Sequence, residues 1–529
     1  MLAIAGRLAK MKSVRREYPG SYGGAYLKPA FHWQVSYFSK NGKKEIGQVI
    51  IDDLSGRVLE QWTGFQVAWS MARGYQGAFG RHAGALYIWL PLCVLFLLPF
   101  IDWRRLFQLL HLDLLVLLSF SVSLAFFNHA HIYASVPLAY PPLLYLLARM
   151  LALTRRRSRQ RGAGGHWAGG HSIPWLALGV VFLLGFRIAL NVTDANVIDV
   201  GYAGVIGAQR IVHGGAGVAL YGHYPADNEH GDTYGPVNYE AYVPFEQIFG
   251  WSGKWDDLPA AHAAAVVFDL LAVALMFLLG RRIRGPSLGI ALAYAWVSYP
   301  FTLFALESNS NDTLVAVLIL AALLLASSAP ARGAFAALAG LSKFAPLALA
   351  PLLGTHGLRG SSRAHRRRAL AQFLFAFAVT AALVSVPALS HDSLHTIYER
   401  TIVYQANRDS PFSIWGLYGL HGLQLAVQLA AVALAIGLAV LPRRPDVVGL
   451  AAACAAVMIA TQLGVEHWFY LYIPWFFGLV MIALLGTPPA SLRAGVDGPT
   501  ALQASQAQAS APARWSPLAS APHSGSALP

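Results

Sequence analysis

Apolar and polar positions follow two different rhythms along this chain. Residues 31–62 alternate: "HWQVSYF" and "EIGQVIIDD" switch between apolar and polar residues, with an Asn-Gly turn in "KNGKK" and a second Gly turn before "SGRVLEQW". That pattern predicts a small antiparallel sheet built from hairpins, with "GFQVAWSMARGY" as a helix that closes it. From residue 86 onward the alternation gives way to long apolar runs, each near the ~20 residues that cross a bilayer. They fall near 86–100, 108–127, 132–151, 173–190, 259–280, 287–306, 312–329, 369–389, 417–440, 447–463 and 467–486. A further apolar stretch, "RGAFAALAGLSKFAPLALAPLLGTHGLRG" at 332–360, has basic residues at both ends and is interrupted by Lys343, Pro346 and Pro351. A single crossing would leave one basic flank on each side of the membrane. A re-entrant hairpin over 333–353 avoids this, and Pro and Lys are tolerated there when protein or water surrounds them.

The fold class expected is therefore an all-α polytopic membrane protein with about 11–13 helical membrane segments, one of them re-entrant, and a small N-terminal α+β module. Four regions follow: a module at 1–84, accessory membrane helices and a basic loop at 85–172, a main membrane domain at 173–486 containing the loop 191–258, and a tail at 487–529. The tail is rich in Ala, Ser, Pro and Gln and is expected to be disordered, since it has too little apolar surface to offset chain entropy.

Composition confirms the membrane class and charge orients it. Hydrophobic residues make up 56% of the chain and charged residues only 12%, against about 25% charged in soluble domains. The net charge of +14 is concentrated in "RRRSRQR" (155–161), "RRIR" (281–284), "RGSSRAHRRR" (359–368) and the pair 443–444, which should face the cytoplasm. Loop 191–258, acidic and holding only Arg210 and Lys254 as strong bases, then faces outward. The surplus of positive charge points to anionic lipid as the partner and not to nucleic acid, for which there is no motif. Cys93 and Cys454 both sit in apolar runs and read as small buried hydrophobes. The first twenty residues lack an h-region with a cleavage site, so no ordinary signal peptide is expected.

The outward loop holds most of the candidate chemistry. It opens with "NVTDANVIDVGYAG" (191–204), placing Asp194 and Asp199 where a helix leaves the bilayer. A helix is predicted after Asn196. Asp194 would precede it, as an N-cap or as a functional acid. Asp199 would lie in the first turns on one face with Tyr202, either solvated or poised as a general base for a hydroxyl. The loop continues through "ALYGHYPADNEHGDTYGPVNYEAYVPF", whose tyrosines suit stacking on sugar rings or simply a rigid surface. Asp269 lies within an apolar run, with Lys343 as a candidate partner. Glu307 and Asp312 frame a short link between two runs and read as caps or substrate contacts. Arg400 and Arg408 in "ERTIVYQANRDSPFSIWG" could hold a phosphate or anchor the interface. Glu466 and His467 have no metal-ligand spacing, and no metal or cofactor is expected.

Taken in order, "DANVIDVGYAGVIGAQRIVHGG", "YGPVNYEAYVP", "ESNSNDTLVAVLILAALLLAS", "GLSKFAPLALAPLL" and "YQANRDSPFSIWG" resemble the family-87 type of polyprenol-phosphate-dependent mannosyltransferases, within the C-type superfamily of integral membrane glycosyltransferases. The resemblance covers roughly residues 173–486. It implies transfer of a hexose, mannose first, from a polyprenyl-phosphate donor to a hydroxyl of a lipid or glycan, with inversion, by a multi-pass protein of the cell membrane. An acid of the first outward loop acts as base in that superfamily. Carried over, the role falls on Asp199, with Asp194 second; the adjacent acidic pair of some relatives is absent here. Tyr202, Tyr234, Tyr239, Lys343, Gln405 and Arg408 are the candidate substrate-binding residues. The N-terminal stretch is weakly similar to a PepSY module. A transporter or flippase for a lipid-linked or small polar substrate is the alternative reading, since intramembrane Asp269 and Lys343 would also suit a translocation path.

Overall fold

The computed structural model describes residues 1–75, 77–155, 173–214, 218–255, 257–441 and 443–487. The basic loop 155–161 beyond Arg155, and the tail beyond Thr487, lie outside the described residues. Near the N-terminus four strands, β1 (Tyr22–Lys28), β2 (His32–Phe38), β3 (Glu45–Asp52) and β4 (Val58–Thr63), form an antiparallel sheet in simple sequence order. The β2–β3 turn uses Gly42 and the β3–β4 turn uses Gly56, both at positive φ (69° and 66°), a conformation that glycine adopts without strain. One sheet face buries Val35, Tyr37, Val49 and Ile51 against Ala5, Met11 and Val14. The covering helices are thus Leu2–Arg7 and Ala9–Glu17. The expected closing helix at "GFQVAWSMARGY" is corrected: only Phe65–Ala68 and a tight turn at Ser70–Arg73 form. The reason is local, because Arg73 donates to the carbonyls of Gln66 (2.9 Å) and Val67 (3.0 Å), which a continuing helix would have used.

Among the described residues, six helices are long and apolar enough to cross a membrane: Leu109–Asn128, Ile132–Arg155, Ile173–Asp194, Pro259–Arg284, Arg363–Leu389 and His421–Val440. A seventh candidate, Pro286–Ser298 with Pro300–Glu307, is bent by 58°. Five shorter apolar helices complete the pattern, among them Asp312–Leu324, Val447–Leu463 and Tyr470–Leu485. The protein is a multi-pass membrane protein with a small N-terminal sheet module. The bend follows from Pro300, which has no N–H to give the carbonyl of Trp296. Thr302 Oγ1 donates to that carbonyl instead (2.5 Å), and Arg187 donates to the next one, Val297 (3.3 Å). Arg187 also grips Asp269 through two bonds, 3.0 and 2.6 Å, with Trp296 Nε1 donating to the same carboxylate at 2.8 Å. The partner suggested for Asp269, Lys343, is therefore corrected to Arg187. Two fully buried charges satisfy each other here while closing the bend.

Segment 329–355 is a hairpin. Helix Ala329–Ser342 stops at Lys343, whose backbone is extended (φ −139°, ψ 139°). A tight turn, Ala345–Leu349, and a short helix, Ala350–Thr355, lead back. The two ends meet: Arg332 donates to the carbonyls of Leu353 (2.7 Å) and His356 (3.2 Å). A helix that crossed and left on the far side would separate these groups by the bilayer thickness. Single cysteines at Ser327 and Arg363 are thus expected to label from the same side of the membrane. A cysteine at Glu229 should label from the opposite side. Labelling of Ser327→Cys and Arg363→Cys from opposite sides with an impermeant reagent would refute the hairpin.

Candidate active site

Asp199 is placed by two neighbouring strips of backbone. Helix Ile173–Asp194 ends at Asp194, and residues 195–198 run extended beside 307–309. Asn196 N donates to the Glu307 carbonyl (3.1 Å), Ile198 N to that of Ser308 (3.2 Å), and Asn309 Nδ2 to that of Asn196 (3.0 Å). The next helix, Asp199–His213, starts directly at Asp199. It lies so close to Asn309 that any side chain at Gly201 would collide with the Asn309 carbonyl. Asn228 Nδ2 donates to the Asp199 carbonyl (2.9 Å), and Asp199 Oδ1 accepts from Val200 N (3.0 Å). Asp199 is exposed to water, with protein close around its carboxylate. That surrounding protein raises its pKa above the ordinary aspartate value; Arg408 foremost, then the Val200 N–H and Lys343, draws it back.

Lys343, at the hairpin tip, forms a buried ion pair with Asp312 at 2.6 Å. Trp475 Nε1 donates to the same carboxylate oxygen at 3.0 Å. Three rings surround the ammonium: Tyr234, Tyr472 and Trp475, with centroids at 5.3, 5.4 and 5.3 Å. One carboxylate and three aromatic faces thus meet this ammonium, each an attractive contact for a cation. The tip is held from below by the "YGP" turn, since Gly235 packs against the backbone of Leu341 with no room for a side chain.

Lys343 opens onto a cavity of about 650 Å³, within the range of small-ligand sites. Tyr234, Tyr472 and Trp475 give it an aromatic wall. Gln405, Arg408, Gln424, Gln428, Glu466 and His467 supply polar groups. Arg408 Nε and Glu466 Oε1 are buried and have no hydrogen-bond partner. Among the described residues no group of three or more His, Cys, Asp or Glu side chains converges as metal ligands would.

Of the residues proposed from sequence, Tyr234, Lys343, Gln405 and Arg408 line one cavity, and Asp199 is electrostatically coupled to it through Arg408, Lys343 and Tyr234. Tyr202 and Tyr239 are fully buried. Tyr202 packs on Trp255 (4.8 Å between rings), and Tyr239 donates to the Gly231 carbonyl (3.0 Å), so both brace the loop from behind. Asp194 is not an N-cap: four residues separate it from the next helix, and it binds His82 Nδ1 at 2.5 Å. Neither Glu307 nor Asp312 caps a helix by its side chain; Asn311 occupies the cap position before Asp312. Arg400 is committed to Asp232, with both bonds at 2.7 Å, which leaves Arg408 as the available guanidinium of that segment. Sequence reading missed Tyr472 and Trp475. The signal that could have found them is the aromatic run "HWFYLYIPW" at 467–475, at the start of the last apolar run. Trp69, which stacks on Arg408, carried no signal at all.

The sequence model of glycosyltransferase family 87 matches residues 233–465, which is consistent with a family 87 glycosyltransferase. The match takes in Tyr234, Lys343, Gln405 and Arg408; Asp199, Trp475 and Trp69 lie outside it. No curated protein and no solved structure matches the chain.

Proposed function

We propose that this glycosyltransferase moves a hexose, mannose first among candidates, from a polyprenyl-phosphate donor to a hydroxyl of a lipid or glycan acceptor, at the outward face of the cell membrane. The observation that carries this reading is the guanidinium of Arg408, without a hydrogen-bond partner at Nε, in a cavity it shares with Lys343 and an aromatic wall, with the Asp199 carboxylate within electrostatic reach. A guanidinium with free N–H groups suits bidentate contact with phosphate, and tyrosine and tryptophan faces suit a sugar ring. The donor tail would stay in the bilayer, which accounts for a site built at the end of a helix bundle.

Chemically, Asp199 takes the proton of the acceptor hydroxyl as its oxygen attacks the anomeric carbon. The bond from that carbon to the phosphate oxygen breaks, and polyprenyl phosphate leaves as an anion held by Arg408 and Lys343. One displacement inverts the anomeric centre. The raised pKa of Asp199 makes it a stronger base than an exposed aspartate, provided the pH lies above that pKa. With the chain purified in detergent and polyprenyl-phosphate mannose as donor, Arg408→Ala is expected to raise the donor KM at least tenfold, in line with about 1.5–3 kcal/mol for a hydrogen bond to a charged group. Transfer with the same donor KM in Arg408→Ala would refute the phosphate assignment. Failure to transfer sugar from any polyprenyl-phosphate donor would refute the donor class.

A further inference from the structure

The stretch 64–84 lies outside the family 87 match, yet it reaches into the cavity end of the bundle. Trp69 places its ring against Arg408, with 5.3 Å from the guanidinium carbon to the ring centroid. Behind it the same indole meets Phe412 edge-on at 5.4 Å and His467 at 5.8 Å. Three other interior cations among the described residues are held by carboxylates: Arg187 by Asp269, Arg149 by Asp113, Lys343 by Asp312; Arg332 is held by backbone carbonyls. Arg408 lines the cavity with an unpartnered Nε and an aromatic face in place of an acid.

The turn that carries Trp69 is rigid for stated reasons. Arg73 straps it through Gln66 and Val67, and Gln66 Nε2 returns a bond to the Ala72 carbonyl at 2.9 Å. Arg73 is in turn tied to the last strand of the sheet, with Glu60 at 4.0 Å and the Trp62 ring at 5.7 Å. Tyr75 donates to the same Glu60 at 2.8 Å. Farther along, Gly80 N donates to Asn196 Oδ1 (2.7 Å), and Asn196 Nδ2 donates to the Ala78 carbonyl (2.8 Å). One continuous segment therefore touches Arg408 on one side and the linker that sets Asp199 on the other.

We infer that Trp69 is a positioning residue for Arg408, and that the N-terminal module is thereby a working part of the transferase site. The inference rests on Arg408 being the phosphate-binding group. A carboxylate partner would neutralise Arg408 and compete with phosphate for its N–H groups. An indole face holds the guanidinium in place through the ring quadrupole, leaves its charge intact, and leaves its N–H edge free for the ligand.

The test uses the full chain in nanodiscs with polyprenyl-phosphate mannose as donor. Trp69→Leu keeps apolar bulk and removes the ring. It should raise the donor KM about 2–30-fold, the range a cation–π contact supports, with kcat within about twofold of the wild type and the same melting temperature. Trp69→Phe, the second variant, should fall between the two. In an Arg408→Ala background, Trp69→Leu should add nothing. Unchanged KM in both Trp69 variants, or an equal rise with Arg408 already removed, overturns the positioning role. If Arg408→Ala loses the donor while the Trp69 variants do not, only this inference falls. If Arg408→Ala binds the donor normally, the phosphate reading falls and takes this inference with it.

Discussion

Asp199→Asn is expected to lower the turnover number by about 10²–10⁴-fold, the usual contribution of a general base, with donor KM and melting temperature near those of the wild type. The substitution keeps size and keeps an acceptor for the Val200 N–H (3.0 Å), so the start of helix Asp199–His213 is preserved. What it removes is the oxygen proposed above to take the acceptor proton. Asp194→Asn is the matched control. It weakens a contact with His82 at the end of a helix and should leave transfer within a few-fold of wild type. Reversed results would exchange the two roles, and full activity in both would remove the base from this loop. The pH profile adds a signed check. Activity should rise with pH through the Asp199 pKa, which burial holds above the ordinary aspartate value. Arg408 favours the ionised form, so Arg408→Gln, measured at saturating donor, should move the acid limb of kcat to higher pH. A shift to lower pH would contradict the coupling.

The second large effect is expected at the hairpin tip. Asp312→Ala would leave the Lys343 ammonium buried without its carboxylate and deprive Trp475 Nε1 of its acceptor. Breaking a buried ion pair from one side costs about 3–5 kcal/mol, a large share of the stability of most proteins. The variant should show a sharply lowered melting temperature in detergent or fail to accumulate. Lys343→Met combined with Asp312→Leu removes both charges and should recover most of that stability, since apolar replacement of a buried pair is often neutral. Transfer should remain lost, because Lys343 faces the cavity. Normal melting of Asp312→Ala would show that the pair does not hold the tip, and full transfer by the double variant would remove Lys343 from donor binding.

Much of the architecture could be read from linear pattern. Apolar runs mark apolar helices, although those at 86–100, 312–329, 447–463 and 467–486 form helices of only 10–17 residues, and the basic residues flanking 332–360 point to a hairpin because charge is counted by side of the membrane. Alternation over 31–62 likewise announced the sheet, although β1 begins upstream at Tyr22. These are properties of a segment and its solvent, and they do not depend on what lies next to it. Pairing is different. Sequence offered Lys343 to Asp269, and Asp194 as a cap, because several charges stood within plausible reach. The fold gave Asp269 to Arg187, Lys343 to Asp312 and Asp194 to His82. The energy of a buried charge depends on the distance to one opposite group and on the water excluded around both, and neither quantity is written along the chain. The same holds for the site, where Trp69, Asp199, Lys343, Arg408 and Trp475 belong to five separate segments. Only the packing of those segments brings an indole to a guanidinium and sets the Asp199 carboxylate within reach of its charge.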